Sequence, residues 1–363
     1  MMGIKKAVLV LMHVIVITAN AQQDSLRSIF SYGATLHKGF IFAHSREVQN
    51  TANSYPTGFQ IDFNWQLADA KTWNTCYCYP KTGFFIQYFN FDNQFLGHAI
   101  TSAAFIEPFF SFAHRINMSI KAAAGLSYLT NPYHPLSNPN NLSYSLPITG
   151  FVSLGLGAHV KLSERLSMSA YIHYNHVSNG GIKDPNKGVN WPTAALGIDY
   201  RPIVASLPVR EKTKYKNYKG KLPRVDMSVF WSSKTVQAGE KDRWMIGGIT
   251  AQVSKQTGIF NALTLGAEWN IDNSLRERLK RNGKSDISNQ RAAITVGHEF
   301  LMGKIIFSQQ LGVYLFNPSG YFDPVFQRYG LLYRLSDNWG IGMNVLAHRQ
   351  VANFLDFRII YSL

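Results

Sequence analysis

The dominant pattern along this chain is an alternation of apolar residues with polar or small ones, at a period of two. Between residues 151 and 161 one face carries aliphatic side chains only. That face is Val152, Leu154, Leu156, Ala158 and Val160, and the opposite face is Ser153, Gly155, Gly157, His159 and Lys161. Because successive side chains of an extended strand point to opposite faces, the pattern predicts a β-strand with one apolar face.

Similar segments recur in two groups of eight, separated by polar turns. The first group is predicted at 31–45, 56–69, 82–91, 97–112, 116–129, 149–161, 166–178 and 192–202. The second is predicted at 225–235, 243–254, 258–271, 289–300, 303–316, 325–335, 338–348 and 352–362. Strands of about ten residues with this alternation are typical of antiparallel transmembrane β-barrels. We therefore predict an all-β fold with an eight-stranded barrel in the first half and a second barrel in the other half.

The chain divides into four segments. Residues 1–21 resemble a secretory signal peptide, with two lysines, a short apolar run and a small-residue cleavage pattern, Ala19-Asn20-Ala21. Residues 22–206 form the first barrel, and 225–363 form the second strand-rich half. The segment 207–224 between them is a basic linker, which favours two small barrels over one large barrel because periplasmic turns within one barrel are short.

The two halves resemble each other weakly. Lys161-Leu162-Ser163-Glu164-Arg165 precedes the seventh strand of the first half, and Arg334-Leu335-Ser336-Asp337-Asn338 stands in the matching place in the second. A tandem duplication explains this similarity, and so does convergence of two barrels on similar turns.

Composition supports an exported membrane protein. Aromatic residues make up 13% of the chain and charged residues only 16%, below the roughly 25% of ordinary globular domains. The formal net charge is +15, which suits an anionic surface. Since the chain is predicted to be exported, nucleic acid is excluded as a partner.

Only two cysteines are present, Cys76 and Cys78. A disulfide between such close neighbours is geometrically difficult, and both side chains would share one face of an extended segment. We therefore predict a pair of loop cysteines without chemistry.

Candidate chemistry lies at the end of the strand 166–178. His176 and Ser178 fall on its apolar, outward face, where polar groups need a reason to be present. A histidine beside a serine is the arrangement of a general base and a nucleophile. Gly180 and Gly181 follow and free backbone N–H groups for an oxyanion, to which the Asn179 side chain adds a donor. On a barrel wall, such a pair suits a lipid substrate.

This segment resembles the active-site pattern of the lipid A 3-O-deacylase (PagL) family. The matching residues, in order and spacing, are His176, Ser178, Asn179, Gly181, Pro185, Asn186 and Gly188. The resemblance implies an outer-membrane, calcium-independent serine esterase that removes a fatty-acyl chain from lipid A of lipopolysaccharide. It implies Ser178 as the nucleophile and His176 as the base. Asn179, the Gly181 amide and Asn186 are the predicted oxyanion and substrate residues.

Asn190 stands where the family has its acidic triad member. An asparagine orients a histidine and fixes its tautomer but does not stabilise the imidazolium by charge. We predict His176, Ser178 and Asn190 as the catalytic set. The alternative is a non-catalytic outer-membrane barrel with a degenerate site.

The second half is predicted to be non-catalytic. His348 faces inward there, and Gln350 occupies the position of the serine. His298-Glu299 begins a zinc-protease pattern, but Met302 replaces its second histidine, so we predict no metal and no cofactor. The expected partners are the lipopolysaccharide substrate and the lipids of the outer membrane.

Overall fold

The first half of the chain forms a closed antiparallel barrel of eight strands. The computed structural model describes residues 27–110, 116–212, 221–349 and 351–363, so the predicted leader lies outside the described residues. Consecutive strands pair, and the first closes the barrel on the eighth. They are β1 (Ser28–Gly39), β2 (Thr57–Leu67), β3 (Lys81–Asn90), β4 (His98–Glu107), β5 (Ile116–Leu129), β6 (Ile148–Lys161), β7 (Leu166–Ser178) and β8 (Val189–Tyr200). All eight predicted strands of this half are present, although the first, predicted at 31–45, and the fourth, predicted at 97–112, end earlier than predicted.

The second half forms a separate closed barrel of the same kind, with β9 pairing both β10 and β16. Its strands are β9 (Arg224–Lys234), β10 (Trp244–Gln256), β11 (Asn261–Asp272), β12 (Gln290–Met302), β13 (Ile305–Phe316), β14 (Val325–Arg334), β15 (Trp339–His348) and β16 (Val351–Ser362). The prediction of two small barrels is therefore confirmed. Residues 213–220 of the predicted linker lie outside the described residues. Within the described residues, no helix has the length and hydropathy needed to span a membrane.

The two faces of each strand differ as the alternation predicts. On β7 the even-numbered side chains point outward and the odd-numbered ones point into the barrel. Ile172 is 70% exposed, whereas the next residue, His173, is 5% exposed. The confirmed parity places His176 and Ser178 on the outward face.

Ion pairs and hydrogen bonds fill both barrel interiors. In the first barrel Lys121 Nζ lies 2.7 Å from Asp62 Oδ1. In the second, the buried Arg328 guanidinium contacts Glu268 at 2.5 Å and Asp356 at 2.6 Å. Eight-stranded barrels are narrow enough for side chains to fill the bore, and these partners satisfy charges that would otherwise be costly to bury.

The two ends of the first barrel carry different connections. The connections after β1, β5 and β7 lie at one end, and the first of them contains a 3₁₀ helix (Arg46–Thr51). The opposite end carries helix α1 (Ala70–Cys76), on which the linker packs. There Tyr79 donates a hydrogen bond to Pro208 O at 2.7 Å. Helix α2 (Asn273–Arg281) follows β11 in the second barrel, and the period-two pattern indicates neither helix.

The prediction of two cysteines without a bond is wrong, because Cys76 and Cys78 form a disulfide. The prediction assumed an extended chain. Instead Cys76 ends α1, and Tyr77 adopts a left-handed conformation with φ of 52°. This turn brings the two Cα atoms to 5.1 Å, within the ordinary disulfide span of about 4.4–6.8 Å.

Candidate active site on the outer wall of the first barrel

The end of β7 and the start of β8 carry the predicted site, joined by a turn over residues 179–188. Gly180, Gly181 and Gly188 all adopt positive φ angles, of 65°, 79° and 77°. Glycine enters this region without the steric cost that a Cβ imposes. The turn therefore depends on glycine at these three positions.

His176 and Asn190 are cross-strand partners in the β7–β8 ladder. His176 Nδ1 lies 2.7 Å from Asn190 Oδ1. An amide oxygen only accepts, so in this arrangement the imidazole carries its proton on Nδ1 and leaves a lone pair on Nε2. This is the tautomer that a general base needs.

Ser178 follows His176 on the same outward face of β7 and is half-buried. Its hydroxyl oxygen accepts a hydrogen bond from Gly180 N at 3.3 Å. No hydrogen bond joins His176 and Ser178 themselves, both of which are among the described residues. The fold thus places the predicted nucleophile and base side by side, and their direct bond stays a prediction. Catalytic hydrogen bonds are often formed only once substrate is bound.

Gly188 leaves the space in which the His176 imidazole packs against the turn. A Cβ at this position would lie 2.7 Å from His176 Cε1, closer than real Cβ contacts occur. Glycine is therefore needed at this position of the family pattern because a side chain would clash with His176, and also because the backbone has a positive φ angle.

Asn179 holds the turn together. Its Oδ1 accepts from Ile182 N at 3.0 Å, and its Nδ2 donates to Lys183 O at 2.7 Å and to Ser145 Oγ at 3.3 Å. Its backbone N–H donates to Asn186 Oδ1 at 2.9 Å. Both side-chain N–H groups of Asn179 already have acceptors, so its direct oxyanion role stays a prediction.

Several donors in the same turn have no hydrogen-bond partner among the described residues. They include the buried Asn186 Nδ2 and the backbone N–H groups of Gly181 and Asn186. Buried unpaired donors are rare in folded proteins and call for a functional or structural reason. These donors belong to Gly181 and Asn186, which the sequence predicts as oxyanion and substrate residues.

His44 belongs to the site and was not predicted from the sequence. Its Nδ1 lies 2.9 Å from Asn190 Nδ2, on the opposite side of the amide from His176. The predicted first strand, 31–45, is too long, because β1 pairs with β8 only as far as Thr193. Pro192 comes next on β8 and has no N–H for the ladder. The chain nevertheless stays close, since Phe42 N donates to Asn190 O at 2.8 Å.

An ion pair joins the connection that carries His44 to the β7–β8 turn. Lys187 Nζ lies 3.1 Å from Glu47 Oε1. The pKa of Glu47 is lowered to about 2, first by its own backbone N–H and also by the Lys187 ammonium. Because this carboxylate is exposed, the pair contributes little to stability and serves mainly to align two loops.

An apolar groove of about 350 Å³ lies on the outer wall near Ser178. In the strand register Ser178 pairs with Gly150 on β6, Gly150 pairs with Leu126 on β5, and Leu126 pairs with Ser102 on β4. Strands are spaced about 4.8 Å apart, so Leu126 lies roughly 10 Å from the serine. The groove is lined by Ile86, Ile100, Thr101, Ser102, Leu126, Ser127, Tyr128 and Ile148.

The second barrel touches the turn that carries the site. Thr235 N, just after β9, donates to Ile182 O at 3.4 Å, and Thr235 Oγ1 accepts from Asp184 N at 3.1 Å. A Cβ on Gly180 would lie 2.8 Å from the Cβ of Leu355 on β16. These contacts are long-range and carry no signal in the sequence pattern.

His348, the counterpart of His176 in the second barrel, is buried. Its Nε2 lies 3.2 Å from Tyr314 Oη inside the barrel, as its predicted inward position requires. Gln350 lies outside the described residues. His298 Nε2 contacts Asn261 Oδ1 at 3.1 Å, and the described residues contain no group of three potential metal ligands.

The outer wall of the first closed barrel carries a histidine, a serine and a turn rich in hydrogen-bond donors. This combination indicates the class of β-barrel hydrolases. Residues 57–199 match the family model described as lipid A 3-O-deacylase (PagL). Residues 223–363 match that described as acyloxyacyl hydrolase, C-terminal domain. The matched part of the first barrel is therefore similar to the lipid A 3-O-deacylase family, and the second barrel is similar to the acyloxyacyl hydrolase C-terminal domain. These families indicate a hydrolase that acts on lipid A.

Among solved structures, variants of the Rhodopseudomonas blastica porin align with this chain at low similarity. One triple mutant shares 10% identity over 93% of this chain and 100% of that chain, with a TM-score of 0.21. Another shares 8% identity over 92% of this chain and 100% of that chain, with a TM-score of 0.19. Likeness at this level carries no argument. The search of curated protein sequences found no match to this chain.

Proposed function

We propose that this protein is an outer-membrane serine esterase that removes a fatty-acyl chain from lipid A of lipopolysaccharide. The observation that carries the proposal is the His176–Asn190 hydrogen bond beside Ser178 on the outward face of a barrel. That placement suits a substrate that lies within the membrane.

The outer faces of both barrels support the membrane location. Large apolar side chains are exposed around each wall, for example Leu196 at 63% and Val296 at 59%. Closed barrels satisfy every backbone group within the sheet, which the interior of a bilayer demands. Two strand-rich barrels with apolar outer faces and filled bores match small outer-membrane barrels.

The proposed reaction is acyl transfer through Ser178. His176 Nε2 removes the proton from Ser178 Oγ as the oxygen attacks the ester carbonyl carbon. The carbonyl oxygen becomes an oxyanion, for which Gly181 N–H and the unpaired Asn186 Nδ2 are the available donors. The tetrahedral intermediate collapses, and the imidazolium gives its proton to the departing alkoxide of lipid A.

Hydrolysis of the acyl-enzyme completes the cycle. His176 Nε2 takes a proton from water, which attacks the acyl carbon and releases the fatty acid and free Ser178. In both acylation and hydrolysis Asn190 holds the His176 imidazole in position but supplies no negative charge. We therefore propose a slower enzyme than one with a carboxylate at this position.

The groove beside Ser178 supports a fatty-acyl substrate. The groove begins two strands away from Ser178 at Leu126, and Gly150, which stands between these two residues in the register, carries no side chain to block the way. An acyl chain laid along Leu126 and its neighbours exchanges bilayer contacts for wall contacts. The groove therefore helps to position the ester beside Ser178, and it adds little burial of the acyl chain beyond what the bilayer already provides.

Alanine variants of Ser178 and His176 test the proposal. Each is expected to abolish release of fatty acid from purified lipopolysaccharide, because each removes a group that forms or breaks a bond. Both side chains lie on the wall rather than in the packed interior, so the barrel is expected to fold, as checked by heat-modifiable gel mobility. Full activity in Ser178→Ala rejects the nucleophile, and an inactive wild type with bound lipopolysaccharide supports the alternative of a degenerate, non-catalytic barrel.

A further inference from the structure

We propose that His44 is a positioning residue, which acts as a hydrogen-bond acceptor to orient the Asn190 amide and thereby keeps His176 in its basic tautomer. The inference rests on the proposed function, since it assigns the control of the same base. The geometry that carries it is the continuous chain His44–Asn190–His176, with contacts of 2.9 and 2.7 Å.

An asparagine in this place creates a difficulty that a carboxylate does not. A carboxylate presents an acceptor in every direction, so a neighbouring imidazole must donate to it. An amide has one acceptor end and one donor end, which a 180° rotation exchanges. With the oxygen toward His176, the ring proton sits on Nδ1 and Nε2 is free. With the nitrogen toward His176, Nδ1 must accept, and the proton sits on Nε2 and blocks the base.

A second partner is therefore needed to choose between the two orientations. Asn190 is 8% exposed, so water contributes little to that choice. His44 is the side chain that meets the other end of the amide. When His44 Nδ1 accepts from Asn190 Nδ2, the amide oxygen must face His176. A donor at the position of His44 would favour the opposite orientation and the wrong tautomer.

The backbone around His44 fixes its approach to the amide. Phe42 N donates to Asn190 O at 2.8 Å, which ties the segment to the very residue that His44 contacts. Ala43 O accepts from Gln49 Nε2 at 3.3 Å, and the Glu47–Lys187 pair joins the same connection to the catalytic turn. The backbone on either side of His44 is thus held by contacts that do not involve the His176 side chain.

The test replaces His44 by an obligatory acceptor or an obligatory donor. His44→Glu is expected to keep or raise kcat, because a carboxylate accepts from Asn190 Nδ2. His44→Lys is expected to lower kcat by at least about tenfold with little change in KM, because an ammonium only donates. The wrong tautomer contributes to a loss of about 10⁴ in a serine protease, which sets the upper limit.

A double-mutant cycle separates orientation from simple charge. Glutamate and lysine also change the electrostatic field at His176, and that effect persists when Asn190 is replaced by aspartate. The orientation effect disappears in Asn190→Asp, because both oxygens of a carboxylate accept, and a rotation of the group therefore leaves an acceptor facing His176. The ratio of kcat between His44→Glu and His44→Lys is expected to collapse at least several-fold in that background. An unchanged ratio overturns the proposal, and so does a lysine variant as active as the glutamate variant.

Nitrogen NMR of selectively labelled histidines provides a readout that does not depend on catalysis. The shifts of His176, assigned with a His176→Asn variant, are expected to report Nδ1–H in the wild type and Nε2–H in His44→Lys. If the wild type releases no fatty acid but the tautomer still changes, the proposed function fails and the positioning role stands. If the tautomer is the same in both proteins, the positioning role fails.

Discussion

Thr235→Val tests whether the second barrel supports the turn over residues 179–188, which carries the candidate site. Thr235 lies just after β9, is 2% exposed, and accepts a hydrogen bond from Asp184 N at 3.1 Å. Valine has the same shape but no acceptor. The substitution leaves a backbone donor of the turn unpaired while the apolar contacts around it persist.

The size of the effect follows from that single lost acceptor. An unpaired buried donor costs about 1–3 kcal/mol, which corresponds to a factor of roughly 5 to 150 in the population of the observed turn conformation. The remaining hydrogen bond from Thr235 N to Ile182 O and the contact of Gly180 with Leu355 prevent a complete loss of the observed turn conformation. We therefore expect kcat on lipopolysaccharide to fall toward the lower end of that range, with little change in heat-modifiable mobility.

Two variants control for a general loss of packing. Thr264 on β11 is equally buried, at 3%, and its hydroxyl has no partner among the described residues, so Thr264→Val is expected to behave as the wild type. Thr235→Ser restores the acceptor and is expected to recover most of the activity. If Thr235→Val and Thr264→Val release fatty acid at the same rate, the second barrel does not act through this bond.

Two further substitutions address the groove and the amide. Gly150→Trp is expected to lower kcat/KM for long acyl chains about tenfold or more but not for a short soluble ester, because a Cβ there meets only Ser178 O at 3.4 Å and the indole would fill the path to the groove. Gly247→Trp, an unhindered outward glycine of the second barrel, is the matched control. Asn190→Asp is expected to raise kcat by stabilising the imidazolium of His176, whereas equal kcat in the aspartate, alanine and wild-type proteins would remove Asn190 from the catalytic set.

Local patterns in the sequence are sufficient to predict the strands and to place His176 and Ser178 on the outward face. Side-chain direction repeats every two residues, so it is set within each strand. The same reasoning misses the Cys76–Cys78 disulfide, because it assumes an extended chain where Tyr77 turns left-handed. The error is one of backbone conformation.

The contacts that surround the site are harder to predict because they join distant parts of the chain. His44 and Asn190 are 146 residues apart and meet only when β1 closes the barrel on β8. Thr235 reaches the turn from the other barrel. Neither contact follows from periodicity, and the resemblance to the deacylase family covers only the motif in the first half.

The filled interiors of the two barrels limit the passage of molecules through this protein. Lys121 pairs with Asp62 in one bore, and Arg328 pairs with Glu268 and Asp356 in the other, so side chains fill the space through which solutes would cross an eight-stranded barrel. Under the proposed function, substrate and product reach and leave Ser178 by lateral diffusion in the plane of the leaflet. Turnover would respond to the fluidity and composition of the surrounding lipid rather than to solute gradients across the envelope.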